Sequence, residues 1–197
     1  HFGNLRVTGE EFSNSSAGAV LVDTDVFSYL MNGSGYAALY RPHVDGKLIA
    51  VSFITVGELY FGAKRRNWGD GKIADLKDRL RIVTLVPYDE SVCRTYADIK
   101  ADCESRGKTV GDNDLWIAAC AIRHSIPLVS NNFEHFNGIP GLILKSESQA
   151  IQEMQSQMKI EVETIEIKPP SNEPQPPSSQ SSSASGAKAP PLAPRRP

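Results

Sequence analysis

Asp23 and Asp25 follow the apolar run AVLV in VLVDTDVF, and Asn131 and Asn132 follow IPLVS in LVSNNF. Glu58 lies one to two helical turns into FITVGELYFGA, and Asp112 and Asp114 open the segment DNDLWIAACAIRH. Carboxylates crowded together repel one another and raise each other's pKa unless a cation is shared between them. A donor set of oxygens without His or Cys selects Mg2+ or Mn2+ over zinc. Phosphodiester cleavage is the chemistry that most often uses such a cluster, because the metal activates a water and offsets the charge growing on the phosphate. Each residue also has a plain structural reading. Asp23 or Asp25 alone could cap the helix that follows, Asp112 reads more readily as a cap than as a ligand, and Asp114 could simply complement a helix dipole. Glu58 resists that treatment. It sits among apolar residues in FITVGELYF, where a carboxylate is costly to bury unless paired or metal-bound.

Short apolar runs precede these polar groups. AVLV (19–22), LIAVS (48–52), RIVTLV (81–86), IPLVS (126–130) and GLIL (141–144) read as strands, each apolar throughout rather than alternating. Helical patterns lie between them: about Val26 to Leu30, broken at Asn32-Gly33; FITVGELYFGAKRR, with Phe53, Val56, Tyr60 and Ala63 at helical spacing; about Asp89 to Ser105, closed by Gly107; and DNDLWIAACAIRH. Continuously apolar strands alternating with helices predict an α/β protein whose parallel sheet is covered on both faces. Ligands of such folds bind beyond the carboxyl ends of the strands. The acids named above stand at those ends, or on helices that begin there.

The net charge is −2, with 15 Lys and Arg against 15 Asp and Glu between residues 19 and 145. That balance excludes a uniformly basic nucleic-acid sleeve, so a nucleic acid would be gripped by a local patch or through metal ions on the acids. Cys93, Cys103 and Cys120 have no short pairing motif and read as free thiols in a reducing cytosol, which predicts a cytoplasmic protein. No apolar run approaches membrane-spanning length and no signal peptide is visible, although the chain begins at His1 rather than Met, which leaves an upstream segment open. The expected organisation is a polar, disordered lead (1–18), one domain (19–145), an extension (146–168) and a tail (169–197). In the extension SESQAIQEMQSQMK reads as a short helix, and the near-alternating IEVETIEI suits an edge strand or a partner's groove. Nine Pro and seven Ser in the last 29 residues predict disorder for the tail.

The segments VLVDTDVFSYLMNG, SFITVGELYFGA, GDNDLWIAACAI and LVSNNFEHFNGIPGLIL resemble, in order, the four motifs of the PIN-domain family, and within it the VapC toxins of bacterial toxin–antitoxin pairs. The resemblance covers nearly all of residues 19–145. It implies a three-layer α/β/α sandwich with a central, mostly parallel sheet of four to five strands. It implies Mg2+- or Mn2+-dependent endoribonuclease activity, a homodimer, and a small VapB-like antitoxin that occupies the site. Residue by residue, it puts the catalytic acids on Asp23, Glu58 and Asp114, which would also bind the metal, and the fourth position on Asn132. Asp25 and Asp112 become helpers. Two departures stand out: Asp25 replaces the Asn common in the family, and Asn132 is neutral, which favours one firmly held metal. The extension after Lys145 lies beyond the family's usual end.

Two other readings compete. An inert PIN scaffold that binds RNA or a protein partner would have no use for a charge-repelling cluster. A haloacid-dehalogenase-like phosphatase would match DTD after a strand, but its Ser/Thr motif should precede the late acids, and LVSN follows them. Trp116 and Cys120 read as packing residues, and His124 and His135 lack any metal-ligand spacing. Lys64, Arg65 and Arg66 form a basic run that either contacts an RNA backbone or is a solvated helix end. If it contacts RNA, changing Lys64, Arg65 and Arg66 together to Ala weakens RNA binding and flattens its salt dependence in a titration series. Binding unchanged at every salt concentration refutes the contact.

Overall fold

Residues 18–167 are described by the computed structural model, with side chains to residue 159. Apart from Gly18, the polar lead lies outside the described residues, as does the Pro/Ser-rich tail. The chain divides into two units, residues 1–159 and 160–197. In order, the first unit contains β1 (Ala19–Val22), α1 (Thr24–Asn32), α2 (Ala37–Val44), β2 (Leu48–Val51), α3 (Phe53–Arg65), α4 (Asp70–Arg81), β3 (Thr84–Leu85), α5 (Glu90–Ser105), α6 (Asp112–Arg123), β4 (Leu128–Val129), the single turn α7 (Phe133–Phe136) and β5 (Leu144–Lys145). A last helix, α8, spans Ser148–Ile167.

The five strands form one sheet in the order β3-β2-β1-β4-β5, and every pairing is parallel. Successive strand residues point to opposite faces, and the two faces carry separate cores. Ala19, Leu21, Ala50 and Leu128 pack on one side with Val92, Ile99 and Cys103 of α5 and with Leu115, Ala118 and Cys120 of α6. Val20, Val22, Val51 and Val129 pack on the other with Val26 and Phe27 of α1, Tyr40 of α2, Leu59 of α3 and Leu76 of α4. This is the expected α/β/α sandwich. Burying each of these larger side chains stabilises the fold by roughly 1.5–3 kcal/mol, so the sheet is held from both faces.

The strands are shorter than their apolar runs. RIVTLV contributes only Thr84 and Leu85 to the ladder, IPLVS only Leu128 and Val129, and GLIL only Leu144, with Lys145 beyond it. Apolarity marks burial, and burial extends past the paired residues. Helix α1 is longer than expected, starting at Thr24 because Asp23 caps it and ending at Gly33, whose φ of 59° suits the left-handed turn. In α3 the buried stripe is Thr55, Leu59 and Ala63, with Val56 and Tyr60 at its margin. IEVETIEI is not an edge strand: α8 runs to Ile167. No Gly or Pro separates it from the preceding helical sequence, and Glu and Gln favour continuation. Among the described residues no helix is long and apolar enough to cross a membrane.

Leu21 lies in the central strand with 0% exposure. Leu21→Ala is expected to lower stability by about 2–5 kcal/mol in urea unfolding with an unchanged m-value. Ile82→Ser, at a position 84% exposed, is expected to change it by less than about 0.5 kcal/mol. Similar losses at both positions contradict the packing described.

Candidate active site

All five strands run the same way, so their carboxyl ends share one edge, and α1, α3, α6 and α7 begin there. Asp23 follows the central strand. Its backbone N–H donates to Val129 O at 3.0 Å, continuing the β1–β4 ladder by one residue. This bond holds the side chain in the interior, at 4% exposure. One carboxylate oxygen accepts from Thr24 N at 2.7 Å and the other from Ser130 Oγ at 2.7 Å. The capping reading of Asp23 is therefore correct, but it does not exhaust the residue. Burial, with added repulsion from Asp25 and Asp114, pushes its carboxyl up to about 7 against the pull of the Ser130 and Thr24 hydrogen bonds.

Asp25 stands in the first turn of α1. Burial raises its pKa first, and the charges of Asp114 and Glu58 raise it further. Glu58 is half-buried on α3 and is not isolated. Thr24 Oγ1 donates to one of its oxygens at 2.5 Å and Asn113 Nδ2 to the other at 2.7 Å. Asp114, in the first turn of α6, has Oδ2 at 2.6 Å from Nδ1 of His135, and Asn132 Nδ2 lies 3.5 Å from the same oxygen. Asp23, Asp25, Glu58, Asp114 and Asn132 thus gather at one edge. Among the described residues no Lys or Arg forms an ion pair with Asp23, Asp25 or Glu58.

Asp112 lies apart from this group. It is not the cap, because Gly111 is the N-cap of α6, and its side chain is turned to α5. Lys100 Nζ at 2.7 Å and Tyr96 Oη at 2.9 Å engage it, and the Lys100 ammonium holds its carboxyl below the usual range. Asn131 is turned aside, accepting from Tyr40 Oη at 2.9 Å. Trp116 packs as expected, stacked on Tyr96 with ring centroids 4.0 Å apart, and Cys120 is buried. The sequence gives no sign of Thr24, Asn113 or Ser130 as site residues, and His135, set aside for want of a metal-ligand spacing, turns out to sit against Asp114.

The donors at this edge are hard oxygens, and a buried carboxylate without a countercharge suits a divalent cation of the Mg2+ class. In the side-chain arrangement described, however, no three His, Cys, Asp or Glu among the described residues converge to hold an ion. Thr24, Asn113, Ser130 and His135 occupy the carboxylate oxygens instead. A cavity of about 710 Å³ opens beside the acids, lined by Thr24, Asp25, Glu58, Phe61, Arg65 and Arg66 among others. Lys64 is exposed but does not line it.

The family model of the PIN domain matches residues 20–141. Ribonuclease VapC2 of Haemophilus influenzae is 33% identical over 122 residues, which cover 62% of this chain and 92% of the relative. Ribonuclease VapC2 of Rickettsia felis is 29% identical over 131 residues, covering 64% of this chain and 96% of the relative. The crystal structure of VapBC2 from Rickettsia felis bound to a DNA fragment from their promoter superposes with a TM-score of 0.58 at 26% identity, covering 65% of this chain and 98% of that one.

The Asp23 carboxyl rises from 3.8 to about 7 on folding, so between those values the native state binds more protons than the unfolded chain. Stability from this group is then fully present below the unfolded value and is lost as pH rises through the native one. In EDTA, wild type should lose roughly 2–4 kcal/mol relative to Asp23→Asn between about pH 4 and pH 8. Urea unfolding of both proteins across that range checks it. A pH-independent difference rules out the uncompensated buried acid.

Proposed function

Because the chain belongs to the PIN-domain family, we propose that it is a metal-dependent endoribonuclease, the toxin of a VapBC-type pair, with its catalytic centre at the acid edge. The observation that carries this reading is Asp23, buried to 4% exposure beside Asp25 and Asp114 and without a basic partner among the described residues. Asp23, Glu58 and Asp114 would hold one Mg2+ or Mn2+, with Asn132 as a neutral fourth corner. When bound, the ion supplies an activated water and offsets charge on the phosphate. Ser130 and Thr24 fix the Asp23 carboxylate, and Asn113 and Thr24 fix Glu58. Asp25 adds negative charge beside the site and tightens cation binding.

Arg65 and Arg66 share the cavity with Glu58, which supports their contact with the RNA backbone next to the scissile bond; exposed Lys64 would add only screened, longer-range attraction. We assign a VapB-like antitoxin as the partner, a homodimer as the assembly, and the cytoplasm as the compartment. The free Cys93, Cys103 and Cys120 suit a reducing environment. The phosphatase alternative gains nothing from the fold, since its motif order is wrong for this edge. An inert scaffold would leave the acid cluster unbalanced to no purpose.

Total RNA incubated with Mg2+ should be cut by wild type, and at least about 100-fold more slowly by Asp114→Asn. The loss of even an outer partner of a metal ligand costs about 10–100-fold. EDTA should stop the wild type. Equal cleavage by both proteins discards the site, and no cleavage by wild type favours the inert scaffold.

A further inference from the structure

Building on the reading of this edge as a divalent-cation site, we propose that His135 is a positioning residue for Asp114. It holds one carboxylate oxygen so that the other is presented to the cation. His135 Nδ1 lies 2.6 Å from Asp114 Oδ2. A bare ring nitrogen facing a carboxylate at that distance would set lone pair against lone pair, so Nδ1 carries the hydrogen and donates it. Asn132 Nδ2, 2.7 Å from the same ring nitrogen, then finds no acceptor there. Its amide hydrogen goes to Asp114 Oδ2, at 3.5 Å. Oδ2 thus faces two donors, and no hydrogen bond among the described residues engages Oδ1.

The support for this arrangement is continuous. Ser130 Oγ donates to Asp23 Oδ2 at 2.7 Å and accepts from Asn132 N at 3.0 Å. One turn of α7 later comes His135, which closes on Asp114. A single arch, Ser130 to His135, therefore fixes the acid after β1 and the acid on α6 against each other. Without His135, Asp114 would keep only the long Asn132 contact, and its side chain, 20% exposed, could rotate. Outer-shell donors of this kind set the orientation and basicity of the ligating group.

A purely structural role for His135 is redundant. Helix α7 is already anchored by Phe136, 1% exposed, and by Ile139, 4% exposed. Lys108 Nζ also donates to Asn137 O and Glu134 O, and Arg106 to Gly138 O. The imidazole itself is half exposed. Its contribution lies in what it donates, not in what it buries.

The test is Mn2+ titration calorimetry on the full chain freed of metal, with unfolding midpoints in EDTA as the check on folding. His135→Leu keeps bulk and removes the donor, and it should weaken Mn2+ binding by about 10-fold or more. His135→Asn places an amide nitrogen near the Nδ1 position and should stay within about 3-fold of wild type. Wild-type affinity in His135→Leu, alongside lost binding in Asp114→Asn, overturns the positioning role and leaves the cation site standing. Equal loss in both His135 variants overturns the hydrogen-bond explanation. Wild-type affinity in Asp114→Asn sinks the cation site itself.

Discussion

β1 is the middle strand of five, so the residue that follows it is flanked by β2 and β4 and covered by helices from both faces. Asp23 occupies that place with both oxygens hydrogen-bonded and no basic partner among the described residues. A carboxylate taken from water into such surroundings costs several kcal/mol unless positive charge meets it. Folding supplies two partial answers, the Ser130 hydroxyl and the Thr24 amide. A proton or a cation supplies the rest.

Helix direction contributes as well. Helices α1, α3 and α6 follow Asp23, Ser52 and Gly111 as N-caps, so all three turn their amino ends toward the acids. Each end carries roughly half a positive charge and unpaired N–H groups. Three half-charges stabilise Asp25 and Asp114 in their first turns, but they are spread over three directions and cannot saturate four carboxylates. The parallel topology that gathers the acids also gathers the dipoles that make gathering them tolerable. A mixed sheet would have separated both.

The fold was legible in the chain wherever a run of apolar residues met a polar group abruptly. AVLV before Asp23 became a strand with those limits, and LIAVS lost only Ser52, which caps α3 instead. Helices α2 and α4 were not legible. Helix α2 contains Pro42, and α4 buries only Leu76 and Leu80 of DGKIADLKDRLR. IEVETIEI read as a strand because its alternation mimics one, and helix continuity from Ser148 prevailed. Among site residues the acids announced themselves by position, Asp23 and Asp25 after a strand and Glu58 and Asp114 on helices. Their partners could not, since Thr24 meets Glu58 across 34 residues of sequence and Ser130 meets Asp23 across 107. Hydroxyls and amides are common everywhere in a sequence, and only the folded edge selects which of them serve.

Spacing within the motifs explains why one acid of each close pair differs in role from the other. Residues two apart on a helix are about 200° apart around its axis. Asp114 faces the sheet edge, and Asp112, half a turn away and more, reaches Lys100 and Tyr96 on α5. The Asp23 and Asp25 pair escapes this rule because Asp23 precedes the helix. Its extended backbone, with φ −74° and ψ 166°, points the side chain back under the sheet edge while Asp25 remains on the helix facing the same space. Two acids two residues apart therefore converge at the first motif and diverge at the third. What separates the cases is where the helix begins: before both acids in α6, and between them in α1.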